Sequence, residues 1–192
     1  RMVRQVMPLL DQCGYEAIEL LTSTILAVAV RYQKEDPFAR LDLARRLAPQ
    51  AKLGFLTTGR RFISFGQTPK SVLQLAYDLL RRHGVTRMWV VDPMSDMAST
   101  RENARMAKQA GFEEVVAGIC FTLSPVHTDE FYADRIAELD GCTDIDSIYL
   151  KDPSGLLTPE RLHRLIPKLR ARLKRLAIAR ALASEPTVLI LD

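Results

Sequence analysis

Short apolar runs recur along the chain roughly every thirty residues, and polar residues do not alternate within them. A strand that is covered on both faces of a sheet shows this pattern, because neither of its faces meets water. The pattern therefore predicts six strands of a parallel sheet. They lie at residues 17–20, 52–56, 87–91, 114–120, 147–150 and 187–191.

Between these runs, apolar residues recur three or four positions apart, which is the period of an amphipathic helix. Asp36 and Pro37 open one such segment as an N-cap and a first-turn proline. A glycine follows four of the other segments and is expected to end them. The predicted helices span residues 3–10, 37–47, 69–83, 99–110 and 128–139, and a last one runs from 159 toward 183.

Helices that alternate with apolar strands are typical of βα units on a parallel sheet, either an open doubly wound sheet or a (β/α)₈ barrel. No G-x-G-x-x-G or G-x-x-x-x-G-K-[ST] phosphate loop occurs, which argues against a nucleotide-binding open sheet. A complete barrel takes about 250 residues, whereas this chain has 192. We therefore predict an α/β fold, a partial TIM (β/α)₈-type barrel with about six parallel strands alternating with helices.

The composition, with 47% hydrophobic and 26% charged residues, is that of a soluble globular protein. No apolar run approaches the roughly 20 residues of a membrane span, and the first residues lack a signal-peptide core. The three cysteines show neither a metal-binding spacing nor a disulfide framework. We expect reduced, mostly buried thiols, a cytoplasmic protein and no membrane partner.

The net charge of +4 comes from one segment, because eight Lys and Arg and no acid lie between residues 161 and 180. Removing these eight charges from the net +4 leaves −4 on the rest of the chain. No general nucleic-acid footprint is therefore expected. The segment is interpreted first as a solvated helix face, and alternatively as a surface for an acidic partner.

In a barrel of this kind, active sites lie at the carboxyl ends of the strands. Lys151 and Asp152 follow the fifth apolar run, and Asp92 follows the third. Lys151 either has a chemical role or forms an ion pair with Asp92 or Asp152. Each of these aspartates could bind a metal, orient the lysine, or cap the turn that follows its strand. His127, in a loop, is interpreted as structural or exposed. The strand-end rule also selects Glu19, Thr57, Thr58 and Thr122.

Several segments resemble the carboxyltransferase domain of biotin-dependent enzymes, a family that includes pyruvate carboxylase, the oxaloacetate decarboxylase α subunit and the transcarboxylase large subunit. The resemblance covers about residues 1–169, and residues 149–159, Y-L-K-D-P-S-G-L-L-T-P, match best. The other matching segments are residues 7–15 (M-P-L-L-D-Q-C-G-Y), 18–19 (I-E), 31–41 (R-Y through E-D-P-F-A-R-L) and 122–128 (T-L-S-P-V-H-T).

The resemblance implies a metal-dependent barrel that moves a carboxyl group between carboxybiotin and a 2-oxo acid through an enolate. Lys151 matches the carbamylated metal ligand of the family, and the expected catalytic residues are Lys151, Asp92 and Thr122. Expected cofactors are a divalent metal (Zn, Mn or Co) and biotin on a carrier domain. That carrier domain, a 2-oxo acid and further copies of the chain are the expected partners.

The sequence also departs from the family pattern. The family's first strand, with an aspartate ligand, would precede Arg1, its H-x-H pair is absent, and Thr58 stands where an arginine is expected. Little or no activity is therefore expected of this chain alone. A non-catalytic scaffold that uses the basic segment is the alternative.

Residues 170–192 are predicted to form a basic helix and a strand appended to the barrel. Residues 175–192 resemble an ABC-transporter ATPase segment that ends at its Walker B aspartate, here Asp192. This resemblance implies a chimeric tail. The signature motif and the phosphate loop of such an ATPase are missing, so no ATP binding is expected. Residues 187–191 are alternatively the next strand of the barrel.

Overall fold

The computed structural model describes residues 2–62, 66–174, 177–178 and 188–190. Five strands alternate with helices, as the sequence predicts, and two shorter strands follow. In chain order the elements are α1 (Met2–Leu10), β1 (Ala17–Thr22), α2 (Ser23–Val28), a π-helix (Ala29–Gln33), α3 (Pro37–Leu47), β2 (Leu53–Thr57), α4 (Lys70–Arg82), β3 (Val85–Asp92), α5 (Met97–Gln109), β4 (Glu114–Cys120), α6 (Asp129–Asp140), β5 (Ser147–Lys151), α7 (Pro159–Arg172), β6 (Ala177–Ile178) and β7 (Val188–Ile190).

All described strand pairs are parallel, and the sheet order is β6-β5-β4-β3-β2-β1-β7. The predicted last strand forms at Val188–Ile190, but it pairs with β1. The next strand of a barrel would instead lie beside β5, so that expectation is wrong. The edge of β5 pairs with the two residues of β6. Asp192 and most of the predicted appendage lie outside the described residues.

Two local features differ from the sequence prediction. The segment after β1 forms α2 and the π-helix, which begin where Thr22 Oγ1 accepts a hydrogen bond from Ile25 N at 3.1 Å. The last predicted helix ends at Arg172 rather than running toward residue 183. Leu173 is extended, and Lys174 N donates to Asp140 Oδ2 of α6 at 3.0 Å, which turns the backbone away from the helix.

The main core lies between the sheet and the helices, where strand residues such as Phe55 meet helix residues such as Tyr77. The opposite face of the sheet carries a second, smaller cluster contributed by strands only: Ala17, Leu56, Trp89, Val91 and Val116, with Cys120 and Tyr149 against it. In a barrel this second face is the interior. We refer to it below as the interior face.

A buried arginine closes the amino-terminal end of the interior face. Arg87 has only 4% of its side chain exposed, and it lies 2.7 Å from Glu114 and 3.3 Å from Glu16. Its guanidinium also sits 5.2 Å from the centre of the Trp89 ring. Burial raises the pKa of the Glu114 carboxyl, and the neighbouring Arg87 lowers it. The charge of Arg87 is thus balanced within the chain.

The basic helix α7 packs against an acidic partner helix of the same chain. Asp129 of α6 lies 2.5 Å from Arg161 and 2.9 Å from Lys168, and Arg172 lies 3.5 Å from Asp134. Part of the positive charge that the sequence concentrates here is therefore neutralised by α6. Among the described helices, none is long and apolar enough to cross a lipid bilayer.

Candidate functional site

The carboxyl ends of β3, β4 and β5 bring three of the chain's polar side chains to one edge of the sheet. Asp92 and Lys151 are the last residues of β3 and β5, and Cys120 is the last residue of β4 between them. Cys120 and Lys151 are register partners in the parallel pair. We call Asp92, Cys120 and Lys151 the rim cluster.

The Cys120 thiol lies close enough to both charged groups of the rim cluster to respond to them. Burial raises the pKa of the Cys120 thiol, Lys151 lowers it, and Asp92 raises it. The sequence prediction included Lys151 and Asp92 but omitted Cys120. The alternation of side chains along a strand could have placed Cys120 on the interior face, but its pairing with Lys151 depends on the strand register, which the sequence leaves open.

Lys151 is half-buried, and it forms no ion pair with the described residues, including Asp92 and Asp152. The salt-bridge alternative for this lysine is therefore wrong within the described part of the chain. A lysine that is partly withdrawn from water without a carboxylate is available for chemistry at the rim.

Asp92 and Asp152, each of which precedes a proline at the end of a strand, both cap turns. Asp92 Oδ1 accepts hydrogen bonds from Met94 N at 2.8 Å and Asp96 N at 3.3 Å. Asp152 Oδ2 accepts one from Leu157 N at 2.7 Å, while its Oδ1 is buried without a hydrogen-bond partner. Burial raises the pKa of the Asp152 carboxyl, but hydrogen bonds from the backbone of residues 154–157 outweigh this and hold it below its usual value.

Thr122 lies two residues beyond β4, and its backbone is fixed by a buried tyrosine. The Tyr132 hydroxyl accepts from Thr122 N and donates to Thr122 O, both at 2.9 Å. Burial raises the pKa of this hydroxyl, so it stays protonated and able to donate. In the same loop, His127 Nδ1 lies 2.6 Å from Ser124 Oγ, and its ring packs edge-on against Phe131. These contacts favour the structural interpretation of His127.

The remaining strand-end candidates lie within β1 and at the end of β2. Glu19 is buried within β1. Burial raises the pKa of Tyr149 on the interior face, and the nearby Glu19 carboxylate raises it further. The Thr57 hydroxyl lies 3.0 Å from the Tyr77 hydroxyl on the helix side of the sheet. Thr58 Oγ1 donates to Arg61 O at 2.8 Å. The threonines stabilise the loop after β2.

The described residues do not form a complete metal site. No group of three or more histidine, cysteine, aspartate or glutamate side chains in residues 2–62 and 66–174 is arranged to hold a metal ion. The rim cluster adds only Cys120 and Asp92 to Lys151, and the Asp92 carboxylate already accepts two backbone hydrogen bonds. The metal that the resemblance implies therefore does not fit the described residues alone.

The three cysteines are free. Cys13 is exposed, which contradicts the expectation that the thiols are mostly buried, and Cys120 and Cys142 are half-buried. Cys13 lies just beyond the end of α1, where its thiol donates to Leu9 O at 3.2 Å.

Searches with protein-family models gave no match. Among curated proteins, the chain is 30% identical to the methylmalonyl-CoA carboxyltransferase 5S subunit of Propionibacterium freudenreichii over 82% of its length. It is 31% identical to the 2-oxoglutarate carboxylase large subunit of Hydrogenobacter thermophilus over 82%, and 28% identical to a pyruvate carboxylase subunit from Methanocaldococcus jannaschii over 84%. The chain is a homologue of the carboxyltransferase domain of biotin-dependent carboxylases.

Each of these matches covers more than four fifths of the chain. A match of that length includes Asp92, Thr122 and Lys151 at whichever residue of the chain it starts. The chain covers only 31%, 24% and 28% of the lengths of these three carboxyltransferase relatives. It therefore corresponds to part of such a domain. The relatives give no support to the ATPase resemblance of the tail, and most of residues 175–192 lie outside the described residues.

The fold agrees with solved carboxyltransferase barrels. The carboxyl transferase domain of Rhizobium etli pyruvate carboxylase, solved with oxamate and biotin, superposes with a TM-score of 0.79 at 22% identity. The superposition covers 88% of this chain and 30% of that one. The parallel sheet is thus a segment of a TIM-type barrel, as the sequence predicts.

Proposed function

We propose that this chain supplies the Lys151 portion of a carboxyltransferase site, at which a carboxyl group passes between carboxybiotin on a carrier domain and a 2-oxo acid. The supporting observation is the position of Lys151, which lies at the carboxyl edge of a carboxyltransferase-like sheet and forms no ion pair with any residue that the structure describes. Asp92 and Thr122 flank it on β3 and after β4. Asp92 acts through its charge, and Thr122 through the loop that Tyr132 fixes.

The described residues cannot complete this chemistry by themselves, since they contain no metal-binding group of side chains. Lys151 would contribute one ligand to a divalent metal such as Zn²⁺, Mn²⁺ or Co²⁺, and the other ligands would come from segments that these residues do not include. We therefore expect the chain alone to decarboxylate oxaloacetate at no more than the uncatalysed rate. The free cysteines are consistent with a reducing compartment such as the cytoplasm.

A chimera tests the proposal directly. Residues 17–169 of this chain would replace the matching segment of the Propionibacterium 5S subunit, and oxaloacetate decarboxylation would be measured. We expect an active chimera that loses activity with Lys151→Ala. Lys52→Ala is the matched control, because Lys52 is an exposed lysine at the opposite, amino-terminal end of a strand. A folded chimera without activity, or activity that is indifferent to Lys151, contradicts the proposal.

Metal titration of the chain itself gives an independent measurement. Calorimetry with Zn²⁺, Mn²⁺ and Co²⁺ would compare the wild type with Lys151→Ala in the presence of bicarbonate, which supplies the CO₂ that carbamylates a lysine. We expect weak binding that disappears in the variant. Equal metal affinity in the wild type and in Lys151→Ala would contradict the proposal that Lys151 is a metal ligand.

The sheet edges support the further proposal that the chain self-associates. β6 pairs with Ser147 and Ile148 only, so the half of β5 that ends at Lys151 has no described partner strand on that side. An unpaired strand edge favours pairing with another chain. We expect oligomers in sedimentation velocity experiments, and a monodisperse monomer at high concentration would contradict this.

A further inference from the structure

A groove on the helix side of the sheet lies between α1, α2, the π-helix and α3. Its volume is about 870 Å³, which is within the size range of small-molecule sites in proteins. Met7 and Leu20 line it from the main core, and both are buried. The groove shares no residue with the rim cluster. We call it the α1–α3 groove.

Five aliphatic side chains from three helices line the α1–α3 groove and are only partly buried. They are Val3 and Val6 of α1, Ile25 and Val28 of α2, and Leu43 of α3. Single exposed aliphatic side chains are ordinary on a protein surface. Five of them around one cavity indicate a site for an apolar ligand, because together they leave apolar surface in contact with water.

The charged residues of the α1–α3 groove leave an excess of positive charge. Arg40 lies 2.6 Å from Glu35, so these two charges balance each other, and Asp36 caps the amino end of α3. Arg4 and Arg46 are exposed, and neither forms an ion pair with any residue that the structure describes. An anionic group at the groove would therefore meet two arginines whose charge is not already balanced.

The wall of the groove between α2 and α3 has an unusual backbone. Ala29–Gln33 is a π-helix, a rare form that is frequent at functional sites. Lys34 ends it with a φ of +56°, in the left-handed region that residues other than glycine seldom adopt. Arg40 Nη2 donates to Gln33 Oε1 at 2.9 Å and to Glu35 Oε2 at 2.6 Å. These bonds fix the wall on both sides of Lys34, which lowers the entropic cost of binding a ligand there.

An alkyl chain that carries a carboxylate matches both properties of the groove. Its methylene groups would be withdrawn from water against the aliphatic lining, and its head group would lie beside arginines, which suit carboxylates. The aliphatic residues line a cavity rather than an outward helix face. An alkyl chain can therefore reach them only after it has left a lipid bilayer, which favours a free ligand over a membrane surface.

We propose that the α1–α3 groove is a binding site for a free alkyl carboxylate, an anion of the fatty-acid class. Val3, Val6, Ile25, Val28 and Leu43 contact the chain, and Arg4 and Arg46 attract the head group. The inference does not rest on the proposed function, because the groove contains none of the residues placed in the carboxyltransferase site.

Decanoate is the probe, and calorimetry with the full chain measures its affinity. Decanoate should bind about 10-fold more tightly than octanoate, because two more methylene groups leave water. Decyltrimethylammonium has the same chain with a cationic head, and it should bind more weakly than decanoate. Arg4→Gln and Arg46→Gln should each weaken decanoate binding about 2- to 5-fold, the range of an exposed ion pair. Arg105→Gln is the control, since this exposed arginine of α5 lies outside the groove.

A substitution that fills the groove tests the position of the chain. Val28→Trp should abolish decanoate binding, because the larger side chain would occupy the space between α2 and α3. Its unfolding midpoint should remain close to that of the wild type, since Val28 is only partly buried. If Val28→Trp does not fold, the two arginine variants still decide the question.

The inference is overturned if the wild type binds no decanoate, or if decyltrimethylammonium binds as well as decanoate does. Equal affinities in Arg4→Gln, Arg46→Gln and Arg105→Gln would also overturn it. Sedimentation velocity identifies a competing occupant. If Val28→Trp dissociates an oligomer and the wild type binds no decanoate, a second copy of the chain fills the groove. Flotation of the chain with phosphatidylglycerol vesicles, lost in Val28→Trp, would show a membrane surface as the ligand instead.

Discussion

The indole of Trp89 lies across Gly54 so closely that a β-carbon at position 54 would stand 1.9 Å from ring atom Cζ3. The same relationship recurs two strands away, where a β-carbon at Gly118 would lie 2.6 Å from Tyr149 Cε1. Large aromatic side chains thus fill the interior face by lying over glycines of the neighbouring strand. The packing of the interior face therefore depends on two matched pairs, Gly54 with Trp89 and Gly118 with Tyr149, rather than on either member of a pair alone.

Gly54→Ala should destabilise the protein by about 1–3 kcal/mol, because the ring of Trp89 is buried and has no room to move. Urea unfolding measures the change. Adding Trp89→Leu should recover part of the loss, since the smaller side chain makes room for the methyl group. Gly141→Ala is the control, because nothing lies within 4 Å of a β-carbon there. Equal effects at both glycines would contradict the packing.

Removing one hydroxyl should break the buried hydrogen-bond chain beneath the loop after β2, in which Tyr77 links Thr57 to Asn103. In Tyr77→Phe, the Thr57 hydroxyl and Asn103 Oδ1 both lose a partner while remaining buried. The expected loss of unfolding free energy is about 1–3 kcal/mol. Tyr32→Phe, at a side chain that is 78% exposed, should change it little. A double variant with Thr57→Val should lose less than the sum of the two single variants, and full additivity would show that the hydroxyls are not coupled.

The contact between α6 and α7 should weaken when its central carboxylate is neutralised. Asp129→Asn removes the charge that Arg161 and Lys168 share, and Asp129 is only 12% exposed. We expect a loss of about 1–2 kcal/mol in low salt that shrinks in high salt. Asp134→Asn is the control, since its pair with Arg172 is exposed on both sides. Thermal unfolding at two ionic strengths would show a salt-independent loss if packing, rather than charge, were responsible.

The stability of the loop after β5 should depend on pH in the acid range. The pKa of Asp152 is lower in the folded protein than in the unfolded chain, so the ionised form stabilises the fold. This stabilisation is present above a pH of about 4, the usual value for an aspartate, and is lost as the pH falls through the lower folded value. Asp152→Asn should therefore be less stable than the wild type at neutral pH, with the difference vanishing in strong acid.

Urea unfolding from pH 2 to pH 7 would test this. Asp144→Asn is the matched control, because the described residues give Asp144 no hydrogen bond. A difference between wild type and Asp152→Asn that does not change with pH would contradict the role of the charge.

Cys120 offers a chemical readout of the rim cluster. Burial raises the pKa of its thiol, so iodoacetamide should alkylate it more slowly than the exposed Cys13 at neutral pH. Lys151→Met should slow the reaction several-fold, and Asp92→Asn should accelerate it, because the two charges act on the thiolate in opposite directions. Mass spectrometry of the labelled peptides gives both rates. If Lys151→Met and Asp92→Asn changed the alkylation rate of Cys120 in the same direction, the geometry of the rim cluster would be contradicted.

The sequence predicted the five main strands because each is a continuous apolar run with a stop signal on either side. The N-cap of α3 was equally predictable, and Asp36 Oδ1 accepts from Phe38 N at 2.9 Å. The end of α7 was not, because it depends on Asp140 of α6, a residue more than thirty positions away in the chain. The pairing of the last strand with β1 depends in the same way on contacts between distant segments.

The candidate site, like the fold, was predictable from the sequence only in part. Strand periodicity placed Lys151 and Asp92 at one edge, because parallel strands end together. It could not show that Asp92 caps its own turn, that Cys120 stands opposite Lys151, or that Lys151 has no ion pair in the described part of the chain.

The five main strands lie in the sheet in the same order as in the chain. Each new βα unit therefore adds to the edge left by the one before it, and no strand is inserted between two others. Units can be appended at an edge of such a sheet, or exchanged as a block, while every existing strand pair is preserved. The segment can therefore be transplanted as one block whose own five strands keep their neighbours, which is the property that a hybrid of two carboxyltransferases requires.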